Sequence, residues 1–196
     1  MILKRIFDLF FSFLAIVVLL LPALIIAIII VVDSKGGVLY KQKRVGQREV
    51  VFSLLKFRSM YVNSDKKGLL TVGVSDNRVT KVGKFLRRAK IDELPQLINI
   101  FLGQMSFVGP RPEVPKYVAL YTAEQKKIFA VKPGLTDYAS LKFINENEVL
   151  ALQENPEKYY IEVLMQEKLK LNLQYIDEMS FWTDVKIIIK TIFKIL

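Results

Sequence analysis

Residues 9–32 read LFFSFLAIVVLLLPALIIAIIIVV, 24 positions without a charge. At about 1.5 Å per helical residue this is enough to cross a hydrocarbon core of roughly 30 Å. The segment predicts a membrane-bound chain, and every later element has to be arranged around it. A cleaved signal peptide is the competing reading, but the apolar stretch is too long and no small-x-small cleavage site follows it. Pro22 lies past its middle, where a proline removes a backbone hydrogen bond and kinks a helix, leaving arms of thirteen and ten residues. Lys4 and Arg5 precede the segment, while Lys35, Lys41, Lys43, Arg44 and Arg48 follow it, so the positive-inside rule draws both ends to the cytoplasmic face. A re-entrant helix-break-helix with its hinge at Pro22 satisfies both signals. A kinked helix crossing once satisfies the length, and on these residues both topologies stay open.

The bulk composition narrows the chemistry. The chain of 196 residues carries 29 Lys and Arg against 19 Asp and Glu, a net charge of +10, which points to a polyanionic partner or an anionic membrane surface. It has no cysteine and no histidine. A disulfide framework, a thiolate zinc site, a cysteine nucleophile and a histidine base are all excluded. Catalysis, if present, runs on Asp, Glu, Lys, Arg, Tyr or hydroxyl groups.

After the break at residues 33–37 (DSKGG), residues 34–196 read as one domain on the anchor of residues 1–33. The stretches VLYKQKRV (38–45) and VVFSLLKFRSM (50–60) predict short strands. In the second, Lys56 and Arg58 are two apart and are expected to project from one face, as a cationic binding surface or as the basic guard of a strand edge. Residues 63–76, with scattered Asn, Asp, Gly and Ser, predict a loop. From Arg78 to Lys90 come six cations and no acid, and on a helix Lys81, Lys84 and Arg88 share a face. No nucleic-acid module accompanies them, so anionic headgroups or a phosphorylated lipid are the expected partners and nucleic acid is not. The closing FWTDVKIIIKTIFKIL sets Lys186, Lys190 and Lys194 on one stripe; this suits a helix lying in the membrane interface and equally a core helix with a narrow wet edge. The expected class is α+β, mostly helical with a few short strands, as a membrane-associated monotopic domain.

The chemistry concentrates in FLRRAKIDELPQLINIFLGQMSFVGPRPE, residues 85–113. Asp92 and Glu93 followed by Pro95 read as the start of a helix ending at Gly103, with Asp as cap and Pro in the first turn. The same helix terminus would keep a carboxylate ionised and help hold a phosphate beside it. Capping and carboxylate attack on a phosphoryl group thus share one geometry, and the residues alone do not separate them. A divalent cation is expected to neutralise diphosphate oxygens during such an attack. Arg111, held between Pro110 and Pro112 after Gly109, is either a guanidinium fork pre-aimed at phosphate or an exposed Arg in a rigid turn.

Taken together, YKQKRVGQ, LLKFRSM, DNRVTKVGKFLRRAKIDELPQLINIFLGQMSFVGPRPE and VKPGLT resemble, in order, the bacterial sugar transferases that act as monotopic phosphoglycosyl transferases. The resemblance runs from the apolar segment to FWTDVKIIIKTI, and the chain looks like the family's minimal catalytic form. It implies transfer of a sugar 1-phosphate from a UDP-sugar to polyprenyl (undecaprenyl) phosphate, releasing UMP and starting assembly of a bacterial surface glycan. It further implies magnesium, held with Asp92, and a covalent phosphosugar on Asp92, with Glu93 supporting acid/base work and active-site geometry. Arg87 matches the family's active-site arginine, and Lys56, Arg58 and Arg111 fall in its basic motifs, as substrate and phosphate ligands. The implied place is the cytoplasmic face of the inner membrane, with the apolar segment re-entrant in the lipid bilayer. Three features depart from the pattern: Leu21 stands where relatives often have Ser before the hinge proline, Asn172 stands where many have Asp, and GLTDYASLKF (134–143) lacks the Gly-rich wording common after its Thr. The alternative from another class is a noncatalytic membrane adaptor binding anionic lipid or nucleic acid through the basic face; it leaves the acid pair beside Arg111 unexplained. A glycosidase is excluded because neighbouring residues do not flank a glycosidic bond from opposite sides. The sequence sets no oligomeric state.

Overall fold

The computed structural model describes residues 2–64, 70 and 76–195. Most of the loop expected over residues 63–76 lies outside them. The described chain is mostly helical with four short strands, as the α+β reading requires. In order it runs α1 (Ile2–Asp33), β1 (Leu39–Val45), β2 (Val51–Phe57), α2 (Lys81–Arg88), α3 (Gln96–Phe101), β3 (Ser106–Val108), α4 (Pro115–Val118), β4 (Gly134–Thr136), α5 (Tyr138–Lys142), α6 (Glu146–Ala151), α7 (Pro156–Tyr159), α8 (Met165–Glu178) and α9 (Phe181–Ile195).

The helix α1 continues through Pro22, so the expected break is not seen as an interruption of the helix. It is long and apolar enough to cross a membrane. One stripe faces the rest of the protein. Near its start, Lys4 donates to the Val108 carbonyl (2.8 Å) and pairs with Asp184, Arg5 donates to the Ile100 and Phe101 carbonyls (2.8 and 2.9 Å), and Asp8 accepts from Ser106 Oγ and the Phe107 amide (both 3.1 Å). Farther along, Ala15, Ile16 and Leu19 pack on Phe52, Leu54, Leu97, Ile100 and Met105. Ala23, Ile26 and Ile30 close the stripe against Phe57 and Leu86. The spacing of three and four residues is that of one helix face. Phe10, Val17, Leu21, Ile28 and Val32 point away and are exposed. Both ends of α1 therefore rest on the same body, and its outward face is an apolar surface suited to lipid.

The two expected strands form an antiparallel hairpin, with Leu39 opposite Phe57 and Val45 opposite Val51. Its turn places Arg48 and Glu49 at φ 56° and 59°. Strands β3 and β4 pair in parallel, Ser106 with Gly134 and Val108 with Thr136. Farther from α1, residues of α4, α6, α8 and the 3-10 turn Gln125–Ala130 enclose Tyr117, Ile128, Leu150, Leu164 and Leu169 in a separate apolar cluster. The closing helix α9 buries Ile187 against Val108 and Tyr175. Its exposed side carries Trp182, Ile189, Ile192 and Phe193 alongside the three lysines, the mixture expected of an interfacial helix more than of a wet edge.

Two expectations give way. Asp92 does not cap the following helix: Lys90 takes a left-handed conformation (φ 57°), Ile91–Glu93 form a 3-10 turn, and α3 starts only at Gln96, before Gly103 (φ 83°) ends it. Nor do Lys56 and Arg58 share one binding face. Strand β2 ends at Phe57, so the alternation that would align them stops there. Arg58 is buried, and its fork closes the end of α1 by donating to Ser34 Oγ (2.6 Å) and to the carbonyls of Ile30 (3.2 Å), Ser34 (2.7 Å), Lys35 (3.1 Å) and Gly37 (2.6 Å). Of these carbonyls Ile30 belongs to the last turn of α1 and also accepts from the Ser34 amide (3.3 Å), and the others lie in the segment that follows the helix.

A lysine cannot span that set of acceptors, because it offers a point charge and not a planar fork. Arg58→Lys is therefore expected to lose about 3 kcal/mol of stability, the order found when buried charged hydrogen bonds are broken. Thermal unfolding in detergent reads the loss. If stability is unchanged and only donor KM rises, Arg58 is a substrate ligand and the clamp is not what it does.

Candidate active site

All six residues singled out from the sequence border one cleft of about 960 Å³, but they do not share one task. Lys56 enters from the end of β2, Arg87 from the last turn of α2, Asp92 and Glu93 from the 3-10 turn, and Arg111 from the segment after β3. Two glycines bring these pieces close. A Cβ on Gly83 would lie 2.0 Å from the Ser59 carbonyl oxygen, so only glycine lets α2 sit against the strand end and hold Arg87 over the cleft. A Cβ on Gly134 would lie 2.1 Å from the Gly109 amide, and that contact brings β4 up to the chain leading into Arg111.

Glu93 is the hub. It pairs with the Arg111 guanidinium and accepts from Lys56 Nζ at 2.9 Å. Arg111 is fixed further by donation to the Leu135 carbonyl (3.2 Å) and by its own amide bonding Asp137 (3.2 Å). Burial would raise the Glu93 pKa, but the charges of Arg111 and Lys56 outweigh it and hold the carboxyl far below the usual range. Arg111 is pushed up by the same pairing, while burial lowers Lys56. Arg111 keeps 30% of its side chain open, which leaves part of the fork for an anion in the cleft.

Asp92 behaves in the opposite way. It is buried, yet among the described residues no hydrogen bond reaches its carboxylate. Burial raises its pKa, Lys56 draws it back, and the charge of Glu93 next door raises it again. Arg87 and Lys90 add positive potential. One carboxylate is locked in ion pairs and its neighbour is left with open lone pairs beside cations. Such a group can attack an electrophile or ligate a cation. With Glu93 taken up by Lys56 and Arg111, Asp92 is the one carboxylate of the pair open to a cation; no cluster of three or more metal-ligating side chains is present among the described residues, so magnesium would rest on Asp92 only together with substrate phosphates.

Some participants escaped the sequence reading. Arg44 pairs with Glu113 (3.0 Å) and donates to the Pro112 carbonyl (2.9 Å), while Tyr160 donates to the other Glu113 oxygen. This network braces the segment that bears Arg111. Asp137 is fully buried and accepts from the Ser140 amide at 2.6 Å as cap of α5. The Asp-x-x-Ser spacing was a visible capping signal, whereas Glu113 and Tyr160 meet only through the fold.

The profile of the bacterial sugar transferase family matches residues 1–196. The chain is 39% identical over 199 residues to the uncharacterized sugar transferase EpsL of Bacillus subtilis (strain 168), covering 100% of this chain and 88% of that protein. It is 37% identical over 196 residues to the undecaprenyl-phosphate glucose phosphotransferase of Komagataeibacter xylinus, covering 96% of this chain and 35% of the relative. With the UDP-glucose:undecaprenyl-phosphate glucose-1-phosphate transferase of Escherichia coli (strain K12) it shares 38% identity over 197 residues, 98% of this chain and 40% of that one. The chain thus spans well under half the length of the last two relatives. Its match along the whole sequence, with the acid pair and basic groups gathered in one cleft, makes it a member of the bacterial sugar transferase family.

Proposed function

We propose that this chain moves a sugar 1-phosphate from a UDP-sugar to polyprenyl phosphate, releasing UMP, as the first membrane step of a surface glycan. The observation that carries the reading is the unbonded, buried Asp92 carboxylate beside a Glu93 that holds Lys56 and Arg111 in place. Relatives whose names specify UDP-glucose and undecaprenyl phosphate supply the substrate class.

In the first half-reaction an Asp92 oxygen forms a bond to the phosphorus that bears the sugar. The bond from that phosphorus to the bridging oxygen breaks, and UMP departs with the electron pair. Arg87, Lys56 and the open part of Arg111 bind the phosphate oxygens as charge moves onto the leaving group. In the second half-reaction a polyprenyl phosphate oxygen attacks the same phosphorus, and the acyl phosphate bond breaks to restore Asp92. Bound magnesium, held by Asp92 and the diphosphate, would supply charge neutralisation. The acid/base task expected of Glu93 fits its environment poorly, since a carboxyl held so far down neither gives nor takes a proton near neutral pH; its contribution is to orient two cations.

We read the apolar outer face of α1 as lying in the cytoplasmic leaflet of the inner membrane without crossing it, with Pro22 as the point at which the otherwise continuous helix would bend. The contacts of Lys4 and Arg58 at opposite ends of α1 with one body support this reading against a single crossing.

Three outcomes follow. Because the chain has no cysteine, single thiols at Ile2, Leu24 and Lys158 give clean labels. Ile2→Cys and Lys158→Cys should react only from the cytoplasmic side, and a spin label at Leu24 should report greater depth than one at Ile2. Labelling of Ile2 from outside would sink the re-entrant topology.

Asp92→Asn should cost about a thousandfold or more in turnover and abolish adduct formation. Intact-protein mass spectrometry of the wild type with UDP-sugar alone should show one added phosphosugar and an equivalent of UMP. UMP that appears only after polyprenyl phosphate is added, with no adduct on rapid quench, would establish direct attack by the lipid instead.

Glu93→Gln should keep some adduct formation while turning over about a hundredfold more slowly, through misplaced Lys56 and Arg111. It should also lower the thermal midpoint at neutral pH. The folded pKa of Glu93 lies below its unfolded value of 4.5, so its pairing stabilises above that pH and fades as pH falls further. The difference between wild type and variant should therefore shrink below pH about 4.5, and a constant difference would show that the charge is not what stabilises.

A further inference from the structure

Of the buried side-chain polar atoms that have no hydrogen-bond partner among the described residues, two belong to Ser140 and Asn172, through Oγ and Oδ1. Both residues line the cleft. They come from α5 and α8, which pack on each other. Folded proteins satisfy the great majority of such atoms, and each orphan costs about 1–3 kcal/mol. The other such atom, Gln96 Nε2, lies outside the lining, whereas these two share one wall of the cleft that holds Asp92. Asn172 is only 5% exposed, and a half turn of its amide exchanges donor and acceptor, so either can be presented to the cleft.

The wall is tied to the reacting groups. The Ser140 amide bonds one oxygen of Asp137, the other oxygen accepts from the Arg111 amide, and Arg111 pairs with Glu93. Ser140 is therefore one carboxylate removed from the cation that faces the phosphate. Its hydroxyl and the Asn172 amide are neutral and both donate and accept. Ala139, Leu169 and Ile188 beside them in the lining are apolar. Lys168, one turn before Asn172 on α8, and Lys194 also line the cleft, but Lys168 is paired with Glu146 (2.8 Å) and Lys194 donates to the Leu141 carbonyl, so a phosphate is better served by the cations around Asp92 than by this wall. A ring bearing hydroxyls, each a donor and an acceptor, matches it group for group.

We propose that Asn172 and Ser140 bind hydroxyl or acetamido groups of the donor's sugar ring, and that Asn172 is a specificity-determining residue of this enzyme. The inference rests on the transferase reading above. The ribose and uracil of the same donor offer similar chemistry, so the test has to separate the two ends of the molecule.

Wild type, Asn172→Leu and Ser140→Ala are assayed for UMP release with UDP-glucose, UDP-galactose and their two N-acetylamino counterparts, and for inhibition by UMP. Leucine keeps the volume of Asn172, and alanine keeps the Ser140 backbone bond to Asp137. With the preferred donor, KM should rise about tenfold in Asn172→Leu and severalfold in Ser140→Ala, the scale of one lost hydrogen bond, with kcat little changed. The ranking of the four sugars should flatten while the UMP inhibition constant stays constant. The thermal midpoint of the ligand-free Asn172→Leu protein should hold or rise, because an orphaned amide has been removed, an outcome a structural role would not give. A parallel rise in KM and in the UMP constant overturns the proposal and assigns the wall to the nucleoside. Unchanged KM and ranking in both variants also overturn it. If Asn172→Leu fails to fold, Ser140→Ala decides by the same comparison. Activity in the wild type with no effect in the variants removes this inference alone, whereas no UMP from the wild type with any donor removes the transferase reading and this inference together.

Discussion

The pairing of Glu93 with two cations is the constraint on which the arrangement of the cleft depends. Its two partners come from distant parts of the chain, Lys56 from a strand end and Arg111 from a proline-bounded turn. Without it the two part-buried cations would lose their shared counter-charge. Exposed pairs such as Lys116–Glu157 and Lys127–Glu124 contribute at most about 1 kcal/mol and organise nothing comparable. The hairpin, the 3-10 turn and the β3–β4 pair are thereby drawn to one point, and the cleft opens where they meet.

The same economy of partners explains α1. An apolar helix of this length needs no polar help inside lipid, yet it carries Lys4, Arg5, Asp8 and Ser12 in its first turns. Each has a partner: β3, the end of α3, α9, or for Ser12 the Leu9 carbonyl within α1. At the other end Arg58 ties the last turn of α1 and the segment after it to the end of β2. The charged residues are thus fasteners that bring the apolar surface and the catalytic body into fixed register. A cleft held in this way keeps a constant position relative to the apolar face of α1, as the proposed lipid-phosphate acceptor would require.

Much of this was legible in the sequence, and the failures have local causes. The hairpin strands follow from alternation, α1 from its uncharged length, and the gathering of Asp92, Glu93, Arg87, Lys56 and Arg111 from one resemblance with an intelligible chemistry. Arg58 was misread because side chains two apart share a face only while the strand lasts, and β2 stops at Phe57. The helix expected from Asp92 was displaced because Lys90 adopts a left-handed conformation that propensity does not foresee. The Glu113–Tyr160 contact spans 47 residues and has no signature in composition or spacing.

Asp92 and Glu93 show why adjacent acids are useful when they are treated differently. Two neighbouring carboxylates repel, so in a common environment one would take up a proton. Here the cations are spent on Glu93, which is driven down, and the residual field of Lys56 and Arg87 only moderates the rise that burial imposes on Asp92. Full pairing of Asp92 would have made it a poor nucleophile, with its lone pairs already occupied. Complete isolation would have raised its pKa further. The intermediate condition leaves the Asp92 oxygens without hydrogen bonds among the described residues, beside Lys56, which is itself tethered to Glu93, and this is the arrangement that the proposed attack on phosphorus requires.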